Sequence, residues 1–248
     1  MNETIKAQLN HRTIREFKDE KLDQSIIDTL LDVANRSASS TCMQYNTIIE
    51  VTDQELKNKL AENGNQAYMA DAPHLWIFVV DLNRNYQIAK ENGEENDNMI
   101  SFDRFVQGLT DSIITAQNVT VAAESLGLGA NYFGNIHNDT AKVIELLNLP
   151  PLTYPAVGLA FGIPNQDPQL KPRMDIKLKS FENSYEVFDN YNEKIDDYNK
   201  EMTHYYDLRE NGKRSDTFSE QIPKKQGTTV ENRDKMFKTL LDQGFKID

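Results

Sequence analysis

The chain has one cysteine, Cys42, in 248 residues, which excludes an intrachain disulfide and any multi-thiolate metal site. Its four histidines, His11, His74, His137 and His204, are scattered, and no His-x-x-x-His pair offers a helical zinc face. No apolar run approaches the roughly 20 residues of a membrane span. The opening MNETIKAQLNHRTIREFKDE lacks the apolar centre of a secretory signal. Ser39 and Ser40 have no Gly-x-Ser-x-Gly context, and no Gly-Lys-Ser/Thr loop exists. No Gly-x-Gly-x-x-Gly opens a helix after a strand; Gly127 and Gly129 close one instead. Positive charge is scarce too. Lys and Arg number 27 against 39 Asp and Glu, a net charge of −12, which disfavours a nucleic-acid partner and requires any anionic ligand to find a locally concentrated basic pocket. These absences lead us to expect a reduced, soluble, cytoplasmic protein with neither membrane nor nucleic acid as partner.

The length allows one large domain or two small ones, at about 150 residues per domain. No internal repeat or low-complexity linker divides it. Leu22, Ile26, Ile27, Leu30, Leu31, Val33 and Ala34 follow a helical rhythm, which predicts a helix over 23–36 capped by Asp23. A polar loop over 37–46 leads to a β-branched strand over 47–51. Asp53 caps a second helix that carries Leu56 and Leu60 and stops at Gly64. HLWIFVVD at 74–81 and YPAVGLAFG at 154–162 are continuous apolar runs, the mark of strands covered on both faces. Residues 82–101 read as a polar surface excursion. A long helix over 102–126 has apolar positions around much of its circumference, which predicts packing on several sides. A strand over 130–133 and a short helix from Asp139 to Leu147 follow. Between Tyr185 and Asn211, Phe188, Tyr191, Ile195, Tyr198, Met202 and Tyr205 recur at steps of three and four. That stripe suits one helix face, which either packs on a neighbour or stacks on a planar ring. A last helix over 231–243 is expected to bury Met236, Phe237, Leu240 and Leu241. The fold class is α+β, with few strands and much helix.

Basic side chains concentrate at two places. His11-Arg12-Thr13-Ile14-Arg15 offers two guanidinium forks, a hydroxyl and an imidazole, a donor set that suits phosphate or another delocalised anion. In Lys171-Pro172-Arg173, the proline stiffens the segment between two cations. Glu16, Asp19 and Asp175 lie nearby, so local ion pairing is the alternative use of both clusters.

Seven motifs in order carry a family resemblance. They are HRTIREF at 11–17, SASSTCMQ at 37–44, GNQAYMADAP at 64–73, AQNVTVAAESLGLGANYFGNIHN at 116–138, LLNLPPLTYPAVGLAFGIP at 146–164, KPRMD at 171–175, and YYDLRENGKR at 205–214 with FSEQI at 218–222. Through them the chain resembles the nitroreductase superfamily of FMN-dependent oxidoreductases. It is most similar to the NADPH-dependent nitroreductase and flavin reductase branch, which includes Firmicute nitro/disulfide reductases. His137, Thr41-Cys42-Met43 and Met174-Asp175 depart from the family pattern, and the first two bear on acceptor preference.

The resemblance implies a three-layer α-β-α fold. A central, mainly antiparallel sheet of four or five strands is flanked by helices. The whole of 1–248 is expected as one domain, with 163–248 as a C-terminal excursion that wraps a partner in an intertwined homodimer. It implies FMN as cofactor. By resemblance His11, Arg12, Thr13 and Arg15 approach the phosphate and the pyrimidine side, and Lys171 and Arg173 approach the same phosphate. Ser39, Ser40, Thr41 and Gln44 match a loop that reaches the partner's flavin. Gln66 matches a side chain on the ring or ribityl edge. Tyr132, Phe133 and Gly134 match a strand-to-turn covering one ring face. Arg209, Lys213 and Arg214 match the part that grips the 2′-phosphate of NADPH; cations opposing a helix C-terminal dipole are the other reading of them. The implied activity is hydride transfer from NADPH through flavin N5 to nitroaromatic, quinone, azo or flavin acceptors in a ping-pong cycle, with no protein acid, base or nucleophile. A non-catalytic flavin-binding or redox-sensing protein on the same fold is the alternative.

Overall fold

The computed structural model describes residues 1–209 and 216–247, the side chains of 207–209 excepted. The chain forms two compact units, one made of Met1–Pro168 with the stretch from Val230 on, the other of Gln169–Thr229. In chain order the first unit opens with α1 (Glu3–Leu9), α2 (Gln24–Asn35), β1 (Asn46–Glu50), α3 (Gln54–Gly64), β2 (His74–Asp81), α4 (Asn83–Glu91) and α5 (Phe102–Ser125). It continues with β3 (Gly129–Phe133), α6 (Thr140–Leu146) and β4 (Thr153–Gly162). The second unit holds α7 (Tyr191–Lys194), α8 (Asp196–Arg209) and α9 (Phe218–Gln226), and α10 (Met236–Asp242) belongs to the first.

The four strands form one sheet in the order β1-β2-β4-β3, every pairing antiparallel. The two continuous apolar runs are its centre. β2 is buried at every position after His74, and β4 at all ten of its positions. Side chains alternate across a strand, and the core follows that period. Trp76 and Phe78 pack with Leu30 of α2 and with Ala116, Val119 and Ala123 of α5. Leu75, Ile77 and Val79 pack on the opposite side with Leu60 of α3 and Val143 of α6. Three layers result, helix on sheet on helix, as the resemblance implies. Each large side chain so buried contributes roughly 1.5–3 kcal/mol.

Local signals explain the boundaries. The Asp53 carboxylate accepts from Leu56 N–H at 2.7 Å, and Asp139 caps α6 through Lys142 N–H at 3.0 Å. Asp23 stands at the N-cap of α2 without a side-chain cap bond. α3 is stopped by left-handed Asn65 (φ 51°, ψ 41°) rather than by Gly64. Gly64 is needed for another reason: a Cβ there would lie 2.0 Å from Asn135 Nδ2.

Several expectations are corrected. Residues 82–101 contain α4, and α1 precedes the first expected helix; neither buries a residue fully, and α4 touches the core mainly through Tyr86. α5 is covered on several sides only in its C-terminal half, where no residue of 118–124 is exposed; further forward Val106, Ile113 and Ile114 are each more than 40% exposed (43%, 45% and 41%), while Asp111, Ser112 and Thr115 are buried. The aromatic stripe is not one helix. Phe188 lies outside, α7 is a single turn, and Ile195 caps it before α8 begins. In the second unit Met202, Tyr205 and Tyr206 pack with Phe218 of α9, a helix opened by a capping box between Thr217 and Glu220. α10 starts at Met236 and buries Leu240, but Phe237 and Leu241 are exposed.

Two histidines in the first unit are held neutral. His74 stacks on Phe161 at 5.2 Å and its Nε2 accepts from Leu22 N–H at 3.4 Å; burial, then the charges of Lys57 and Lys21, lower its pKa. His137 donates to the Ala156 carbonyl at 3.0 Å; burial lowers its pKa, against that bond and with help from Arg233. Both folded values lie below the ordinary 6.5, so the unfolded chain binds more protons in acid. Stability from these groups is complete above about pH 6.5 and is lost as pH falls through the lowered folded values. The urea midpoint should therefore fall on going from pH 7 to below 6. His137→Gln, which keeps an N–H donor but does not titrate, should flatten that dependence. An unchanged slope in the variant would count against the assignment.

Candidate functional site

The basic segment after α1 is carried along the sheet edge. Thr13 bridges Ala130 of β3 in parallel, and Ile14 N–H donates to the Ala130 carbonyl at 3.0 Å. Further on, Phe17 bridges Pro164 and Lys18 N–H donates to Ile163 O at 2.9 Å. Gln166 Oε1 accepts from both Arg15 N–H (2.6 Å) and Glu16 N–H (3.3 Å). Gly129 permits this docking, because a Cβ there would come within 2.6–2.8 Å of the Ile14 side chain. The edge of an otherwise apolar sheet thus fixes the backbone of 13–18.

His11, Arg12 and Ile14 of that segment border a cleft of about 230 Å³, together with Asn10, Glu124, Gln166 and Asp167. His11 Nδ1 meets Glu124 Oε1 at 2.5 Å, with the Glu124 side chain only 11% exposed. Arg12 donates from one terminal nitrogen to the Asn10 carbonyl at 3.1 Å, while its Nε is buried without a partner. An unanswered guanidinium donor beside a polar cleft is the donor chemistry of an anion site. Arg15 turns the other way, its guanidinium carbon 5.9 Å from the Tyr68 ring centroid. The Tyr68 hydroxyl donates to Gln66 Oε1 at 2.6 Å, and its ring lies 5.7 Å from that of Phe133. Tyr68 therefore joins three sequence-predicted residues, Arg15, Gln66 and Phe133. Sequence reasoning missed it, as it missed Glu124, although both stand inside quoted motifs.

Phe133 is 1% exposed, so only its backbone can face a ligand. The Tyr132 hydroxyl bonds Thr120 Oγ1 at 2.8 Å and Gln117 Oε1 at 3.2 Å. Burial pushes its phenol pKa up, with the Glu124 charge in the same direction and the Thr120 bond opposing. Gly134 is exposed, and a Cβ there would meet nothing within 4 Å, so a flat group can approach the backbone. His137 points inward to Ala156 and Tyr154.

The second polar loop sits elsewhere on the unit. Ser40 N–H and Tyr45 N–H donate to the two carboxylate oxygens of Asp111 at 2.8 and 3.2 Å. Ser40 Oγ donates to Gln107 Oε1 at 3.1 Å, and Ser39 Oγ accepts from Gln44 N–H at 3.3 Å. Thr41 and Gln44 are exposed. Asp111, which anchors this loop, and Glu124, which holds His11, are both on α5 but 13 residues apart, about 20 Å along the axis. The structure therefore brings His11 and Arg12 to one cleft with Thr13 beside them on the sheet edge, and Arg15 to Tyr68 with Gln66 and Phe133, but sets 39–44 about 20 Å away along α5.

Lys171 and Arg173 belong to the second unit, where one Arg173 terminal nitrogen donates to the carbonyls of Lys171 and Pro172 at 3.0 and 3.2 Å. The Arg209 side chain, Lys213 and Arg214 lie outside the described residues. Among the described residues no cluster of three or more His, Cys, Asp or Glu could hold a metal, and no helix is long and apolar enough to cross a membrane.

The sequence matches the model of the Nitroreductase family over residues 9–66 and 61–163, and that of the Nitroreductase family, C-terminal domain, over 171–248. It is 40% identical over 225 residues to an FMN reductase (NADPH) of Bacillus subtilis, covering 90% of each chain. It is 34% identical over 246 residues to an oxygen-insensitive NADPH nitroreductase of Salmonella typhimurium, covering 99% of each. The solved structure of NfrA2 from B. megaterium superposes with a TM-score of 0.93 at 35% identity, over the full length of both chains. Fold, ordered motifs and family models agree, and the chain belongs to the nitroreductase family.

Proposed function

We propose that the protein is an NADPH-dependent FMN oxidoreductase that acts as a homodimer. The observation that carries this reading is the buried, unpaired Nε of Arg12 beside the His11–Glu124 pair, in a chain of net charge −12. A fixed cation with an unanswered donor selects an anion, and the FMN phosphate supplies one. Names of relatives support it: one is an FMN reductase using NADPH and another an NADPH nitroreductase.

In this reading His11, Arg12 and Thr13 hold the phosphate side of FMN, and Lys171 and Arg173 have the same assignment. Arg15, aligned on Tyr68, serves the pyrimidine side, where its charge favours the negative charge that reduction adds. Gln66, steered by the Tyr68 hydroxyl, offers an amide that both donates and accepts. The backbone at Phe133 and Gly134 and the neutral phenol of Tyr132 flank a ring face. The chemistry that a bound FMN supplies is hydride exchange at N5, with NADPH followed into the same place by a nitro, quinone, azo or flavin acceptor in a ping-pong cycle. Arg209, Lys213 and Arg214 are assigned to the 2′-phosphate of NADPH, and 163–248 to an excursion of one functional domain.

Two observations favour a homodimer. Ser39, Ser40, Thr41 and Gln44 stand about 20 Å along α5 from the His11 cleft, which suits completion of each site by the partner's loop. On the same helix Phe102, Val106 and Ile113 form an exposed apolar stripe, at 43%, 43% and 45% exposure. Sedimentation of the yellow holoprotein should give a dimer that loses flavin on dissociation; a monomer retaining FMN would contradict this.

Arg12→Ala and Arg173→Ala should each weaken FMN binding by about 1.5–3 kcal/mol, the worth of a charged hydrogen bond. Flavin fluorescence titration of apoprotein reads this directly, and wild-type affinity in both variants would sink the phosphate assignment.

The 2′-phosphate is the only chemical difference between NADPH and NADH. Arg209→Ala should therefore raise the NADPH KM about ten- to a hundredfold, leave NADH nearly unchanged, and spare the half-reaction with acceptor. Added salt should shrink the wild-type preference. Steady-state kinetics with both nucleotides checks it, and equal wild-type use of the two would remove the idea.

A further inference from the structure

The loop over 39–45 has a backbone that its own sequence disfavours. Thr41, Cys42 and Gln44 have φ of 50°, 61° and 54°, left-handed values at three non-glycine positions out of four. That region brings Cβ against the following carbonyl, and a β-branched threonine is among the worst residues for it. Inside the loop Met43 N–H donates to Ser40 O at 3.0 Å and Gln44 N–H to Ser39 Oγ at 3.3 Å, and groups outside it share the work of holding it there.

Both sides of the loop backbone are held. Asp111, 1% exposed on α5, accepts from the amides of Ser40 at 2.8 Å and Tyr45 at 3.2 Å, one per carboxylate oxygen. These two amides bracket the left-handed residues. Opposite them the carbonyls are gripped from α4. Asn85 Nδ2 donates to Met43 O at 2.8 Å, and Arg84 donates to Gln44 O and, at 3.4 Å, to Asn46 O. Arg84 is itself fixed by Asp81, 3.6 Å away, whose carboxylate also accepts from the Thr47 hydroxyl at 2.6 Å. The result is a loop whose amides and carbonyls are held by fixed groups while Thr41, Cys42, Met43 and Gln44 all keep exposed side chains. A buried carboxylate spent on two backbone amides is a costly anchor unless the loop shape matters.

We propose that Asp111, with Arg84 as its counterpart, is a positioning residue. It holds 39–45 in the left-handed shape in which Thr41 and Gln44 are presented, already ordered, to the flavin of a second copy of this chain. The proposal rests on the functional reading above. Pre-ordering removes the entropy of fixing the loop from the cost of binding, so loss of the anchor shows as loss of FMN affinity.

The test uses full-length Asp111→Asn, Cys42→Gly, the double variant and Arg12→Ala. Asparagine turns an NH₂ towards one of the two amides and releases that end of the loop. Glycine at 42 removes the left-handed penalty without touching the anchor. Asp111→Asn should weaken FMN binding at least tenfold in fluorescence titrations, speed amide exchange at residues 40–45, and leave the dimer intact in sedimentation. Cys42→Gly, which relieves one of the three left-handed positions, should restore part of that affinity in the Asp111→Asn background and none in Arg12→Ala. Unchanged affinity and exchange in Asp111→Asn overturn the proposal, and so does a loss that Cys42→Gly leaves untouched. A wild-type protein that binds no FMN overturns the functional reading instead. Exchange at 40–45 then still decides whether Asp111 holds the loop.

Discussion

The pairing of β2 with β4 constrains everything else in the first unit. Both strands are buried on both faces, so from Leu75 to Asp81 and from Thr153 to Gly162 the side chains go to packing rather than to chemistry. Polar function is displaced to the rims. The segment from Thr13 to Lys18 runs along β3 and past the end of β4, and the sheet fixes its backbone by main-chain bonds, while His11 and Arg12 just before it border a cleft. The apolar centre is thereby the reason that a flexible-looking N-terminal stretch can aim Arg12 and Arg15 in different directions.

α5 does the same for the second loop. Its buried face alternates apolar residues with Asp111, Ser112, Thr115 and Thr120. Ser112 and Thr120 return their hydroxyls to carbonyls of their own helix, but Asp111 has no such outlet and reaches for the amides of Ser40 and Tyr45. One helix thus carries two polar attachments, Asp111 to the 39–45 loop and Glu124 to His11, at a separation set by its rise per residue.

Much of this was legible in the sequence, for definite reasons. The strands at 74–81 and 154–162 announce themselves because burial on two faces leaves no polar position from Leu75 to Val80 or from Pro155 to Phe161, and the caps at Asp53 and Asp139 are local chemistry. α1 and α4 were not legible, since neither buries a residue fully and α4 offers the core little beyond Tyr86 among polar neighbours. The stripe from Phe188 to Tyr205 misled because step size alone does not register the break at Ile195. α9 could have been found from Thr217 and Glu220, three apart, the spacing of a capping box. In the site, basic residues stand out against a charge of −12, whereas Tyr68, Glu124 and Asp111 act through contacts with distant segments. A tyrosine beside a glutamine, or an aspartate in an amphipathic helix, carries no local mark of such a task.

The unpaired Nε of Arg12 bears on the stability of the fold. A buried donor left unanswered is a standing debit in the folded state, removed only when an acceptor arrives. A fold built this way has transferred part of its stability to its ligand, in proportion to RT ln(1 + [L]/Kd). If FMN is the acceptor that answers this donor, the holoprotein should resist unfolding more than the apoprotein, and by more as free flavin rises.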